Sequence, residues 1–361
     1  IEARLIHLAA LRTLPRAGRV HPARPEDTAF IQFSSGSTGS PKGVVLSHQN
    51  LLTNLDAIHR AAAYTPADAT LSWMPLTHDM GIIGLHLSPL YSQMNQYLIP
   101  TPLFVRRPAL WLDKASEYRV TALCSPNFGY KYILKHCPPS VDYPWDLSAV
   151  RVLYNGAEPI SAQLCTDFLD RMEGYGLRRT TMTPVYGLAE ASLAVTFSSF
   201  DDPFITHRFD RQRLNFGDAV RTVRDREAGV SFVNVGTPIQ DCYLKIADHD
   251  GRALGEERIG SICIKGGNVT KGYYNNAAAT ERAIGADGWL DTGDLGFIKE
   301  GCLYITGRAK DIIFVNGQNY YPHDLEEIAA AGDGVELNKI VMVGDFNPDR
   351  QQEECFAFVY H

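Results

Sequence analysis

Lys42 ends a run suited to anion contact, Ser34-Ser35-Gly36-Ser37-Thr38-Gly39-Ser40-Pro41-Lys42-Gly43. Glycines such as Gly39 let backbone N–H groups approach a phosphate closely, and the hydroxyls of Ser35, Ser37 and Thr38 add short donors. Lys42 supplies the positive charge. A Walker-type loop needs glycine before its lysine and Ser or Thr after it. Here Pro41 precedes Lys42 and Gly43 follows, which excludes that reading. The apolar runs on either side, 28–33 and Val44-Val45-Leu46, both read as strands, so the loop is expected to close a hairpin rather than open a helix. Taken alone, the segment also fits an ordinary Gly/Ser surface loop.

Other polar clusters recur downstream: Thr77-His78-Asp79, Asn155-Gly156-Ala157-Glu158 and Tyr186-Gly187-Leu188-Ala189-Glu190. Further on stand Asp291-Thr292-Gly293-Asp294, the charged strip Gly307-Arg308-Ala309-Lys310-Asp311, and Asn316-Gly317-Gln318-Asn319-Tyr320-Tyr321-Pro322. Asp294, at a tight glycine turn, has the form of a carboxylate that accepts from two adjacent ribose hydroxyls. Each cluster has a plainer reading. Asp294 is a turn former, Glu190 a helix-start carboxylate, and Tyr186 a core or rim aromatic. His78 reads equally as a structural histidine, Asn127 as a buried amide bonded to backbone, and Arg308 as the partner of a nearby acid.

The elements that must position these groups read as alternating strands and helices. Strands are expected at 70–74, 120–125 and 150–154, and helices at 49–62 (with Ser47 as N-cap), 110–118 and 128–135. Such alternation implies α/β layers on a mostly parallel sheet, with ligands at the carboxyl ends of the strands. No GxGxxG is present. From about Val230 the texture becomes small and β-rich, while 198–229 before it is polar and rich in Asp and Arg, an insertion or mobile loop. The 361 residues, 45% hydrophobic and 21% charged, allow a sizeable core in roughly two domains. A net charge of −7 argues against a general nucleic-acid surface. The seven cysteines form no CxxC pair, the pattern of reduced thiols in a cytoplasmic protein. No apolar run approaches the ~20 residues that span a bilayer. Both ends read as lying inside a longer protein.

Together the serine-rich lysine loop, NGAEP, YGLAE, GWLDTGDLG and GRAKD stand in the order found in adenylate-forming enzymes, and the chain resembles that superfamily along nearly its whole length. A closer resemblance is to fatty acyl-AMP ligases. It is carried by Thr77-His78-Asp79-Met80-Gly81-Ile82-Ile83-Gly84, Ser125-Pro126-Asn127-Phe128-Gly129-Tyr130, the NGAEPI and YGLAEAS segments, and Gly317–Pro322. Gln318 and Gly129 depart mildly from that pattern, standing where many members have Arg and Ala. The stretch 198–234 falls where those ligases carry an insertion absent from acyl-CoA synthetases.

The resemblance implies an α/β architecture with a large N-terminal adenylate-forming domain, residues 1–309, made of two α/β subdomains and a small β-barrel-like unit. An incomplete α+β C-terminal domain, 310–361, would follow a hinge at Lys310. The implied chemistry is ATP- and Mg²⁺-dependent activation of a fatty acid to an acyl-adenylate. Acyl transfer to the phosphopantetheine thiol of an acyl carrier protein would follow, with coenzyme A as the alternative acceptor. Lys42, Ser35, Ser37, Thr38 and Gly39 would hold phosphates, and Glu190 would bind Mg²⁺. Tyr186, Gly187, Asn155, Gly156 and Ala157 would line the adenine site. Asp294 and Arg308 would hold ribose or phosphate. His78, Asp79 and Asn127 would lie at the acyl end, with Lys42, Glu190 and His78 catalytic. The family's second lysine falls beyond His361, so this chain on its own is expected to bind ATP and acid yet adenylate poorly. A catalytically silent nucleotide-binding module is the remaining alternative.

Overall fold

The computed structural model describes residues 18, 21–34, 41–224, 229–315, 318–330, 339–347 and 352–360. Two strands, β1 (Thr28–Ser34) and β2 (Lys42–Ser47), pair antiparallel with Ser34 opposite Lys42. The expected hairpin is therefore present. Its connecting residues, including Ser35, Ser37, Thr38 and Gly39, lie outside the described residues.

Helix α1 (His48–Ala61) starts at Ser47 through reciprocal bonds: the Asn50 N–H donates to Ser47 Oγ (3.1 Å), and the Ser47 N–H donates to Asn50 Oδ1 (3.0 Å). This capping box satisfies two donors that a helix start leaves open.

The main layer is a seven-stranded sheet in the order β11-β8-β7-β6-β5-β3-β4. Its strands are β3 (Ala69–Ser72), β4 (Asn95–Leu98), β5 (Ala122–Ser125), β6 (Val152–Asn155), β7 (Met182–Gly187), β8 (Ala194–Phe197) and β11 (Thr237–Pro238). Strands β4 to β7 run parallel through β3, whereas β8 and β11 join antiparallel. Strands β3, β5 and β6 are buried at every position, as parallel strands covered on both faces must be. Helices α2 (Ala109–Glu117), α3 (Asn127–His136) and α4 (Ala162–Glu173) turn Trp111, Tyr130 and Phe168 into that core.

The segment after Asp79 forms a π-helix, Met80–Leu87, with the Ser88 N–H reaching Ile83 O. Met80, Ile83 and Leu85 are buried in the core, and Ile82 packs at its margin.

The polar stretch 198–234 carries an antiparallel hairpin, β9 (Thr206–Asp210) with β10 (Gly229–Val233). Phe209, Leu214, Val230 and Phe232 bury with Phe297, Tyr304 and Tyr321 in a second core. Four antiparallel strands make the β-rich unit: β12 (Cys242–Ala247), β13 (Gly260–Gly266), β14 (Leu290–Lys299) and β15 (Cys302–Arg308). Short helix α5 (Ala277–Ala283) lies between β13 and β14. The chain continues into hairpin β16 (Ile313–Val315)–β17 (Gln318–Tyr320), helix α6 (Pro322–Ala330), and hairpin β18 (Ile340–Asn347)–β19 (Gln352–Val359). No helix among the described residues is long and apolar enough to cross a membrane.

Candidate functional site

Strand β7 ends at Tyr186 and Gly187, and the chain turns sharply there. A Cβ on Gly187 would sit 2.0 Å from Leu193 O, so only glycine allows the next residues to fold back this closely. The short 3₁₀ turn Ala189–Ala191 carries Glu190, and Ser192 follows with φ +65°. That left-handed conformation is unfavourable for a non-glycine residue. It is held by the Ser192 hydroxyl, which donates to Asn268 O at 2.9 Å. Asn268 in turn donates to Ala191 O and Ala194 O, each at 3.2 Å. Asn54, fully buried on α1, exchanges two bonds with the backbone of Ala194 (2.8 and 3.1 Å). Three polar segments distant in sequence thus fix the turn that presents Glu190.

A short chain of polar contacts runs from the same strand. The Tyr186 hydroxyl donates to Asp294 Oδ2 at 2.6 Å, and Arg308 Nε lies 3.3 Å from Asp294 Oδ1. Asp294 and Arg308 face each other across the register of β14 and β15. Burial pushes the Asp294 carboxyl above its ordinary pKa, despite Tyr186 and Arg308 favouring its charge. Burial also raises the Tyr186 phenol, with Asp294 adding to the shift, so Tyr186 remains a donor. These groups border a cleft of about 2330 Å³ that is also lined by Gly187, Ala157, Asn127 and Lys310.

Asn155 and Gly156 stand behind that wall rather than on it. Asn155 is fully buried at the end of β6 and donates through Nδ2 to Asn127 Oδ1 (3.0 Å) and Cys165 Sγ (3.3 Å). Asn127 also donates to Pro159 O at 2.6 Å. Its side chain therefore braces the 155–161 loop against α3. Ala157, at φ +71°, lines the cleft together with the rest of the loop from Glu158 to Ser161. Glu158 accepts from the Phe128 N–H at the start of α3 (3.0 Å), and burial raises its pKa against that bond.

A second constellation gathers Lys42 and Glu190 around Tyr273. The Tyr273 hydroxyl donates to Glu190 Oε1 at 2.8 Å, and Lys42 Nζ lies 4.9 Å from the centre of the Tyr273 ring. Charge from Glu190 reaches Tyr186 and Asp294 as well, which puts both constellations in one electrostatic neighbourhood. His78 pairs with Asp79 instead (Nδ1–Oδ1 2.8 Å), just before the π-helix, and that pairing raises the imidazole pKa. Lys310 sits in the turn after β15, where the Ala309 N–H bonds Gly293 O at 3.0 Å. A separate cavity of about 610 Å³ beside Ala57, Phe197 and Pro238 contains none of these residues.

Sequence reasoning missed Tyr273, Asn54, Asn268 and Ser192. Tyr273 stands in Lys271-Gly272-Tyr273-Tyr274-Asn275, a run whose only signal is its glycine–aromatic pairing. The amides carry no local signal, because their partners lie up to 140 residues away.

Metal binding by protein groups alone needs several donors on one point. Among the described residues, no group of three or more His, Cys, Asp or Glu is placed to hold a metal ion. Glu190 alone, beside Lys42, suits a Mg²⁺ ion carried in on phosphate oxygens, since that ion keeps waters and takes few protein ligands.

Known proteins resemble this chain. A family model described as AMP-binding enzyme matches residues 6–274. A Caulobacter vibrioides protein provisionally named an acyl-CoA synthetase is 38% identical over 90% of this chain and 58% of its own length. The medium-chain-fatty-acid–[acyl-carrier-protein] ligase TtuA of Teredinibacter turnerae is 34% identical over 84% of this chain and 50% of its own. The long-chain-fatty-acid–AMP ligase FadD32 of Mycobacterium marinum is 36% identical over 84% and 52%. The chain thus spans about half the length of these relatives. Among solved structures, a fatty acyl-adenylate ligase from work on the E. coli and L. pneumophila enzymes superposes with a TM-score of 0.86 at 34% identity, over 92% of this chain and 61% of that one. A keto acid-selecting peptide-synthetase module gives 0.91 at 36%, over 98% and 30%.

Proposed function

This chain belongs to the AMP-binding enzyme family of adenylate-forming proteins, and on that premise we propose that the protein activates a fatty acid and passes its acyl group to an acyl carrier protein. The observation that carries the reading is the Tyr186–Asp294–Arg308 chain on the cleft wall, with Glu190 on the turn that follows Tyr186 and Lys42 on the other side of Tyr273 from it. The chemistry of those groups matches the parts of a nucleotide. Asp294 accepts from ribose hydroxyls, Ala157 and Tyr186 flank adenine, and Lys42 meets the β- and γ-phosphates.

A fatty carboxylate oxygen attacks the α-phosphorus, and the bond to the β-phosphate breaks to release pyrophosphate. Charge grows on the phosphate oxygens, and Lys42 and Arg308 stabilise it from fixed positions. Glu190 would hold the Mg²⁺ that accompanies the nucleotide and screens its phosphates. His78, whose imidazole pKa is raised by Asp79, would stand at the acyl end of the reaction. The second step moves the acyl carbon from AMP to a phosphopantetheine thiol.

Choice of acceptor rests on the 198–234 hairpin, which we read as the ligase insertion. Its core includes Tyr321, beyond the proposed hinge at Lys310, and the Tyr321 hydroxyl donates to Leu214 O at 3.0 Å. This tie restrains the 310–361 part, the start of the smaller domain, and favours a carrier-bound thiol over free coenzyme A. Polyketide or peptide-synthetase assembly lines use such carriers, and seven cysteines with no CxxC pair suit a cytoplasmic setting.

The test offers the full-length protein fatty acids, ATP and Mg²⁺, then coenzyme A or holo carrier protein. Thioester on the carrier alone is the expected result. Thioester on coenzyme A at a comparable rate would move the protein to the acyl-CoA ligases.

A further inference from the structure

Lys42 and Glu190 belong to strands and turns far apart in sequence, yet they share one small core. Val44, Leu46, Leu51, Leu55, Ile83 and Ala189 pack together beneath them. Opposite charges this close attract, and a direct pair would leave neither free for phosphate or metal. Among the described residues, no ion pair joins Lys42 to Glu190; the Tyr273 phenol stands between them, its hydroxyl on Glu190 and its ring beneath Lys42.

The segment around Tyr273 is strapped to both neighbours. The Thr270 N–H donates to Glu190 O (2.7 Å), and the Thr270 hydroxyl donates to Val45 O (2.6 Å). The Val45 N–H donates to Gly272 O (3.1 Å), and the Tyr274 N–H to Gly43 O (2.7 Å). The Tyr273 N–H is held by Thr280 Oγ1 at 3.0 Å, at the far side of the turn. Four of these bonds fix the base of the ring relative to the lysine strand and the glutamate turn, and the fifth ties it to α5.

We propose that Tyr273 is a positioning residue that spaces Lys42 from Glu190 and holds the Glu190 carboxylate ready for nucleotide-borne Mg²⁺. The proposal rests on the adenylation reading above.

Calorimetric ATP binding by the full-length protein, with Mg²⁺ and with Mg²⁺ chelated, tests it without any acid substrate. Tyr273→Phe keeps the ring and removes the hydroxyl; Tyr273→Leu removes both. Tyr273→Phe should weaken MgATP binding roughly tenfold, the scale of a lost hydrogen bond to a charged group, while leaving Mg²⁺-free ATP binding unchanged. Tyr273→Leu should weaken binding in both conditions. Wild-type Mg²⁺ dependence in folded Tyr273→Phe would overturn the proposal and leave the adenylation reading intact. Failure of the wild-type protein to bind ATP would overturn both.

Discussion

On the proposed function, Lys42 and Asp294 are the two residues on which nucleotide chemistry most depends, and they should fail in different ways when changed. Replacing Lys42 by alanine removes a charge from the developing phosphate charge but touches little of the core. Adenylation should fall by about 10²–10³ with the thermal midpoint unchanged. Asp294 is governed by its burial. Its folded pKa is raised, so the native state binds a proton to higher pH than the unfolded chain does. This group's contribution to stability therefore declines as pH rises from the ordinary carboxylate range through the raised value. Ribose binding has the opposite sign, because only the carboxylate accepts from both hydroxyls. Nucleotide affinity should weaken on acidification before an ordinary aspartate would titrate. Asp294→Asn should bind more weakly and lose that step, as affinity titrations across mildly acidic pH will check. The types at 42, 190, 294 and 308 were legible in the sequence, since chemistry-bearing residues stood at turn glycines or strand ends. Tyr273 was not, because its meaning comes only from two partners 231 and 83 residues away.

Elements make those residues a site. The hairpin, α1 and the alternating strands followed from periodicity, and Ser47 announced the helix it caps. The π-helix at Met80–Leu87 did not follow, because an apolar stretch with two glycines gives no face by which to judge its winding. Nor did the amide network, which depends on tertiary neighbours. Asn268→Ala would leave the Ala191 and Ala194 carbonyls without this donor and loosen the turn that carries Ser192. A loss of about 1–3 kcal/mol is expected for such a buried bond, read by urea unfolding. Ser47→Ala should cost about 1 kcal/mol through the lost cap, with ATP affinity unchanged. Equal losses in ATP affinity from both variants would contradict separate roles for the cap and the network.

Across the whole molecule, the 198–234 hairpin links the large α/β body to residues beyond Arg308. Composition alone left it as an insertion or a mobile loop. Its aromatic positions, Phe209 and Phe232, bury only once β14, β15 and Tyr321 come together. Gly307 shows how close that approach is, since a Cβ there would lie 2.6 Å from the Tyr321 ring. Tyr321→Phe cuts the hydroxyl tie to Leu214 and keeps the packing. Coenzyme A thioester formation should rise above its wild-type background, with adenylation itself unchanged. An unaltered acceptor preference would remove the Tyr321 tie from the explanation.

The most direct test of adenylation is hydroxylamine trapping of acyl-adenylate made by the full-length protein from ATP, Mg²⁺ and fatty acids of several lengths. ATP-dependent acyl hydroxamate from at least one fatty acid, lost in Lys42→Ala, is the expected result. Hydroxamate from no acid, or an undiminished yield in Lys42→Ala, would contradict it.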